Sequence, residues 1–124
     1  MCKAVERGRV KTRLAAEVGD DVALHVYEQL VSITLRVVCS GSWTPTLAVD
    51  GDPATLPQHT AAVIRQRGDD LGDRILCALH DAADAERTVV LGTDAPLVTP
   101  SMIDEAFAAL DAADVVLGPA TDGG

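Results

Sequence analysis

The sequence predicts an α/β fold, and the clearest indication is a change of hydrophobic period over its last third. Residues 88–91 form a continuous β-branched and apolar run, the pattern of a strand covered on both faces in a parallel sheet. Thr99 and Pro100 then suit the cap and first turn of a helix, and residues 114–117 form a second apolar run. Strand, helix and strand within about 30 residues make a βαβ unit, which closes as a parallel crossover.

Two further helices are predicted upstream of this unit. Asp20 or Asp21 can cap a helix that runs to about Val38, and its proposed core face keeps the 3.6-residue period at Val22, Val26, Leu30, Ile33 and Val37. A second helix is expected from Asp70, where helical spacing recurs at Leu71, Ile75, Ala78, Leu79 and Ala82.

The region between these helices predicts one strand and one uncertain segment. Residues 46–49 are β-prone and end at residues 50–53, Asp-Gly-Asp-Pro, a strong turn signal. Residues 53–66 fit no single element, and a helix over residues 61–65 is the interpretation favoured here. No repeat or linker divides the chain, so residues 1–124 are expected to form a single domain.

Charge and composition exclude several classes of function. The net charge is −9, but the first 14 residues carry five of the ten basic residues and one acidic residue, so the remainder is strongly acidic. Such a body repels nucleic acid, whereas the basic segment suits one compact anion such as a nucleotide's phosphates. No apolar run is long enough for a membrane span and no signal peptide is evident, so we expect a cytoplasmic protein without membrane partners. The three cysteines lack metal or disulfide spacing and are expected to be reduced thiols.

Two predicted strands end in loops that carry an aspartate. Asp94 follows the strand at residues 88–91, and Asp122 follows the strand at residues 114–117. Because ligands of open α/β sheets bind at the carboxyl ends of the strands, both carboxylates are candidates for holding Mg²⁺ or Mn²⁺ with a phosphate. The alternative is an aspartate that only hydrogen-bonds the backbone of its own turn.

Two glycine-containing segments are candidates for ligand contacts. Gly8 precedes Arg9, Lys11 and Arg13, which would lie on one side of an extended chain and could surround a diphosphate; a solvated basic terminus is the alternative. Lys11-Thr12 lacks the glycine spacing of a Walker A loop. Residues 66–74 lead into a helix, and their free amides could face a ligand or serve ordinary capping.

Four segments in their order along the chain carry a family resemblance: KAVERGRVKTRL, QRGDDLGDRI, LGTDAPLVTP and VVLGPATDGG. They resemble a bacterial glycosyltransferase-like domain family of unknown function, of the arsenosugar-biosynthesis glycosyltransferase type. That family is part of the nucleotide-diphospho-sugar transferase superfamily, which has a Rossmann-like GT-A sheet. Phospholactate and molybdenum-cofactor guanylyltransferases are its relatives.

The resemblance implies a glycosyl- or nucleotidyltransferase that binds a nucleotide or nucleotide-sugar diphosphate with Mg²⁺ or Mn²⁺. It assigns the nucleotide phosphates to Gly8, Arg9, Lys11 and Arg13. It assigns the metal to Asp94, and substrate contacts to Gln66, Gly68, Asp70, Asp122 and Gly123. Catalysis would be mainly electrostatic, without a covalent nucleophile.

The chain also departs from the family's pattern at both ends. Only Met1 and Cys2 precede Lys3, and relatives continue beyond Gly124, so the sheet is expected to lack its first strand and its C-terminal part. Exposed strand edges favour association, including with a second copy of the chain. Two other functions therefore stay open: a non-catalytic, truncated remnant or partner-binding fragment of this fold, and a phosphate-binding α/β domain of another superfamily that needs no metal.

Overall fold

A small parallel sheet with helices around it forms the computed structural model, which describes residues 1–82 and 84–119. The strands lie in the order β1-β2-β3 and both neighbouring pairs are parallel. In chain order the elements are β1 (Cys2–Lys3), α1 (Thr12–Val18), α2 (Asp20–Val38), β2 (Thr46–Asp50), β3 (Ala62–Arg65), α3 (Leu71–Asp81) and α4 (Pro100–Ala109). The α/β fold class predicted from the sequence is confirmed.

The helices begin where local side-chain chemistry satisfies their first free amides. The Asp70 carboxylate accepts a hydrogen bond from the Asp73 amide at 2.9 Å and caps α3. The Thr99 hydroxyl accepts from the Met102 amide and caps α4, with Pro100 in the first turn as expected. Helix α2 has the predicted range but begins after Gly19, so neither Asp20 nor Asp21 is its cap.

Helix α2 buries a different face from the one predicted. Its buried residues are Ala23, Tyr27, Val31, Thr34 and Leu35, whereas Val22 and Val26 of the predicted stripe are exposed. The prediction of that stripe was wrong because apolar residues surround most of the helix, so the period alone could not select the face. The buried face is the one that packs with Cys2, Leu47 and Val49 of β1 and β2.

The segment expected to be a helix over residues 61–65 is strand β3. It pairs with β2 in register from Thr46 opposite Ala62 to Val49 opposite Arg65. Val63 and Ile64 are β-branched and favour the extended backbone, and the neighbouring strand supplies the hydrogen-bond partners. The short segment had no periodicity that could reveal this pairing.

The two strands of the predicted βαβ unit do not form, although its helix α4 does. Residues 88–91 have no strand conformation, and each is half-buried or exposed. Val115 and Leu117 are 71% and 86% exposed, so residues 114–117 are not a buried strand either. Asp122 and Gly123 lie outside the described residues.

One apolar cluster joins α2 to the sheet, and Val10 of the loop after β1 is also buried in this cluster. Trp43 connects this region to α4, because its ring stacks on Phe107 at 6.1 Å while its indole N–H donates to the Val38 carbonyl at 2.7 Å. Within the described ranges, no helix is long and apolar enough to cross a membrane.

Candidate functional site

The candidate site lies at the carboxyl edge of the sheet, where the loops after the parallel strands meet. Lys3 ends β1 and leads into the basic loop, here residues 4–11; Asp50 ends β2; and Gln66 directly follows β3. Residues 92–96 join the same edge through Asp94. In open parallel sheets this edge is where ligands bind.

Lys11 and Asp94 come together across 83 positions of sequence. The Lys11 Nζ lies 2.7 Å from the Asp94 Oδ1, with the lysine side chain 24% exposed and the aspartate 71% exposed. Two residues that the sequence placed in separate candidate motifs, one for phosphate and one for metal, are therefore neighbours. The exposed carboxylate leaves room for a ligand on its solvent side.

The basic loop is not extended as predicted. It contains a turn at Gly8, whose φ is +75°, and it ends at Lys11, which has left-handed backbone angles before α1 begins at Thr12. A non-glycine residue in that region carries a strain of about 1–3 kcal/mol. The alternation that would align Arg9, Lys11 and Arg13 on one side is therefore absent, because Arg13 already lies on the helix.

The other cations of this region have acidic partners within the chain. Arg9 pairs with Glu6 at 2.8 Å, and Arg7 donates a hydrogen bond to Asp21 at 2.6 Å and lies 3.7 Å from Asp20. The hydrogen bond from Arg7 holds the pKa of Asp21 below its ordinary value. From the sequence, Asp20 or Asp21 was expected to cap α2, and this link from the basic loop to α2 was not predicted.

Tyr27 makes contacts with Lys3 that were not predicted from the sequence. Its hydroxyl accepts from the Lys3 amide at 2.7 Å and donates to the Lys3 carbonyl at 2.9 Å, so it secures the end of β1 to α2. Burial raises the pKa of Tyr27, and the nearby charge of Asp94 adds to this, while hydrogen bonding to Lys3 and Thr93 opposes it. Tyr27 is therefore close enough to Asp94 for the charge of that carboxylate to act on its hydroxyl.

The residues predicted to approach a nucleoside have structural contacts at the end of β3. The Gln66 Nε2 donates to the Cys2 carbonyl at 2.8 Å and to the Ala48 carbonyl at 2.9 Å, so it connects β1 and β2. Gly68 has a φ of +128°, and a Cβ there would lie 2.8 Å from the Arg74 amide nitrogen. Asp70 caps α3. These contacts explain the residue types without a ligand, and they leave the predicted substrate contacts untested.

A second ion pair links β2 to α3. The Arg74 guanidinium lies 3.2 Å from the Asp50 carboxylate, both side chains are about one-third exposed, and Arg74 also donates to the Gly68 carbonyl. Asp50 and Arg9 line one small crevice, so this pair borders the basic loop. The sequence predicted Asp50 only as part of a turn, and Arg74 only as the last residue of the candidate ligand segment 66–74.

Asp94 offers one carboxylate to a cation. Among residues 1–82 and 84–119, no three His, Cys, Asp or Glu side chains are grouped so that they could hold a metal ion. Mg²⁺ commonly takes one or two carboxylates and completes its shell with phosphate oxygens and water. The donor set fits an ion that arrives with a nucleotide better than a permanently bound metal.

A solved structure has the same fold over nearly the whole chain. It is the crystal structure of a "putative nucleotide-diphospho-sugar transferase" from Desulfovibrio desulfuricans G20, with a TM-score of 0.82 and 32% sequence identity. The alignment covers 98% of this chain and 59% of that protein, so this chain spans about three-fifths of its length. The fold is therefore that of the nucleotide-diphospho-sugar transferases, an α/β sheet of GT-A type.

The family is shown by sequence. The profile of a family described as "Uncharacterized protein conserved in bacteria (DUF2064)" matches residues 23–124, and the chain belongs to this family. A search of the curated proteins found no match.

Proposed function

We propose that this chain is a transferase domain that binds a nucleotide or nucleotide-sugar diphosphate, together with a divalent cation, at the carboxyl edge of its sheet. The observation that carries the proposal is the 2.7 Å contact between Lys11 and Asp94. The contact joins the lysine that we propose to bind phosphate and the aspartate that we propose to bind the metal ion, and the fold is that of the nucleotide-diphospho-sugar transferases.

The ion pair between Lys11 and Asp94 could give way to a bound metal diphosphate, because each residue would meet an opposite charge on the ligand. Without a ligand, Lys11 and Asp94 neutralise each other. A bound diphosphate would take the ammonium of Lys11, and its Mg²⁺ or Mn²⁺ would take the carboxylate of Asp94 and supply charge neutralisation. Arg9 and Arg13 would add further cationic contacts, and the backbone at the Gly8 turn would face the phosphates.

The segment after β3 would border the nucleoside or the second substrate. Gln66 has both amide hydrogens engaged with the carbonyls of β1 and β2, so the acceptor oxygen of its side chain is the atom it would offer. Gly68 and Asp70 shape the turn into α3. The family resemblance assigns Asp122 and Gly123 to the same substrate, on residues outside those described.

The kind of group that is transferred, glycosyl or nucleotidyl, is inferred from the family resemblance alone. Glycosyl transfer of the arsenosugar-biosynthesis type and nucleotidyl transfer of the guanylyltransferase type are both open, and either would place a metal diphosphate at this edge. A non-catalytic domain of the same fold is the alternative to both reactions. Binding without turnover of any nucleotide sugar or nucleoside triphosphate would favour that alternative.

The test is a calorimetric titration of the chain with UDP-, GDP- and CTP-type ligands, with Mn²⁺ and then with a chelator. We expect metal-dependent binding of at least one ligand. Asp94→Asn should abolish the dependence on Mn²⁺, and Lys11→Gln should weaken binding by about tenfold or more, which is the loss of one charge-assisted contact. Metal-independent binding would instead favour a simple phosphate-binding domain.

Matched controls separate the site from the overall charge. Arg36→Gln removes an exposed cation from the far end of α2, and Asp114→Asn removes an exposed carboxylate distant in sequence from the candidate loops. Both should bind like the unmodified chain. Equal losses in these controls, or no metal-dependent binding of any nucleotide, would overturn the proposal.

A further inference from the structure

The ion pair between Lys11 and Asp94 engages the same two residues that the proposed function assigns to a ligand. The Lys11 Nζ lies 2.7 Å from the Asp94 Oδ1, and the lysine side chain is only 24% exposed. The backbone of Lys11 is also held, because its carbonyl accepts a hydrogen bond from the Ala15 amide at 2.8 Å, where α1 begins. The ammonium group is therefore kept against this carboxylate and is not a freely moving surface charge.

Arg9, a second cation of the basic loop, has a different partner. Its guanidinium lies 2.8 Å from the Glu6 carboxylate, and its side chain is 64% exposed. A change at Asp94 should therefore act on Lys11 and leave the pair between Arg9 and Glu6 as it is. The two cations thus offer a matched comparison within one loop.

A diphosphate without a metal ion has to break the Lys11–Asp94 pair at a net cost. It attracts the Lys11 ammonium, but it leaves the Asp94 carboxylate without its cation and beside a second anion. Two more carboxylates, those of Glu6 and Asp50, line a small crevice at the same edge of the sheet. The electrostatics of this edge therefore oppose a bare anion.

A diphosphate that carries Mg²⁺ or Mn²⁺ meets the opposite situation. Its phosphate oxygens attract Lys11 while its metal ion attracts Asp94, so both partners of the broken pair gain a new opposite charge. Among residues 1–82 and 84–119, no three metal-ligating side chains are grouped to hold such an ion beforehand. Until the metal arrives with the phosphates, Lys11 is the cation that Asp94 contacts.

We propose that Asp94 competes with phosphate for Lys11, so that the site selects metal-bound diphosphates over metal-free ones. The pair opposes a bare anion, whereas a metal-bound diphosphate replaces it with two new ionic contacts. This inference rests on the proposed function and adds to it the form of the substrate that the site accepts. Lys11 and Asp94 determine specificity in this way, besides contacting the ligand.

The experiment uses inorganic pyrophosphate as the probe and the full chain, first with EDTA and then with Mg²⁺. Phosphorus NMR follows the titration, because it reports dissociation constants into the millimolar range. Without metal, Asp94→Asn should bind pyrophosphate about three- to fivefold more tightly than the unmodified chain, which is the upper range for a partly exposed ion pair. With Mg²⁺ the order should reverse, because the variant lacks the carboxylate for the metal.

A double-mutant cycle separates competition for Lys11 from general charge repulsion. In the Lys11→Gln background, Asp94→Asn should change metal-free binding by less than about 1.5-fold, because no ammonium is left to release. In the matched Arg9→Gln background it should keep its full three- to fivefold gain. Thermal melts check that each variant is folded, and Asp94→Ala serves as a second variant without the carboxylate.

The outcomes distinguish this inference from the proposed function. If Asp94→Asn tightens metal-free binding equally with and without Lys11, or does not tighten it at all, the inference is overturned while metal-dependent binding still supports the proposed function. If pyrophosphate binds to no form of the chain, with or without Mg²⁺, both the inference and the proposed function fail.

Discussion

Replacing Tyr27 with phenylalanine should destabilise the protein through the backbone of Lys3. The hydroxyl supplies both a donor and an acceptor to that one residue, at 2.9 Å and 2.7 Å. Its removal leaves two partly buried backbone groups without their partner, and each such loss costs roughly 1–3 kcal/mol unless water replaces it. Partial access of water at Lys3 favours the lower end, so we expect a total of about 2 kcal/mol.

Urea unfolding followed by circular dichroism measures this change, and Thr34→Val is its matched control. The Thr34 hydroxyl is on the same helix and also buried, but it donates only to the Leu30 carbonyl within α2. Its loss should change the free energy of unfolding by less than about 0.5 kcal/mol. A Tyr27→Phe variant no less stable than Thr34→Val would refute the argument that this hydroxyl connects α2 to β1.

Three other predictions concern stability. Burial lowers the pKa of the Met1 amine below its ordinary 8.0 and raises the pKa of the Cys2 thiol above its ordinary 9.0. Stability should therefore rise with pH up to about 8, where the unfolded chain holds more protons at the amine, and fall above about 9, where the folded chain holds more at the thiol. Thermal melts across this pH range would measure the change in stability. N-terminal acetylation should remove the rise in stability below pH 8, and a pH profile unchanged by acetylation would show that the Met1 amine is not its cause. Gly68→Ala should cost about 1–3 kcal/mol because of its positive φ and the close Arg74 amide, while Gly92→Ala, which meets nothing within 4 Å, should be near neutral by chemical denaturation. Asp70→Ala should cost about 1 kcal/mol through the lost cap of α3, and an unchanged melting temperature would argue against that cap.

The elements that could be predicted from the sequence are those defined by local chemistry. The Thr99 cap predicts α4, the helical spacing from Asp70 predicts α3, and the Asp-Gly turn that begins at residue 50 marks the end of β2. The cap region predicted for α3 was residues 68–69, and the structure has Asp70 in that position. The elements that could not be predicted depend on distant partners. β3 is a strand that pairs with β2, whereas residues 88–91, which have the apolar sequence of a strand, pair with no strand among the described residues.

Some features of the candidate site could also be predicted from the sequence, while others depend on the fold. The residue types and the order of the motifs singled out Lys11 and Asp94, and the fold brings them together. Spacing could not reveal that Tyr27 bonds to the backbone of Lys3, since this contact exists only once α2 packs against β1. Nor could it show that Arg13 lies on a helix, because the extended form was assumed from alternation alone. The roles predicted for Asp122 and Gly123 stay predictions.

The hydrogen bond from Met1 to Leu91 has a consequence for the order of folding. It joins residues 90 positions apart, and β1 pairs with β2 across 47 positions. Contacts of such high sequence separation form slowly because the loop must close before they contribute. β1 should therefore be among the last parts of the sheet to become fixed.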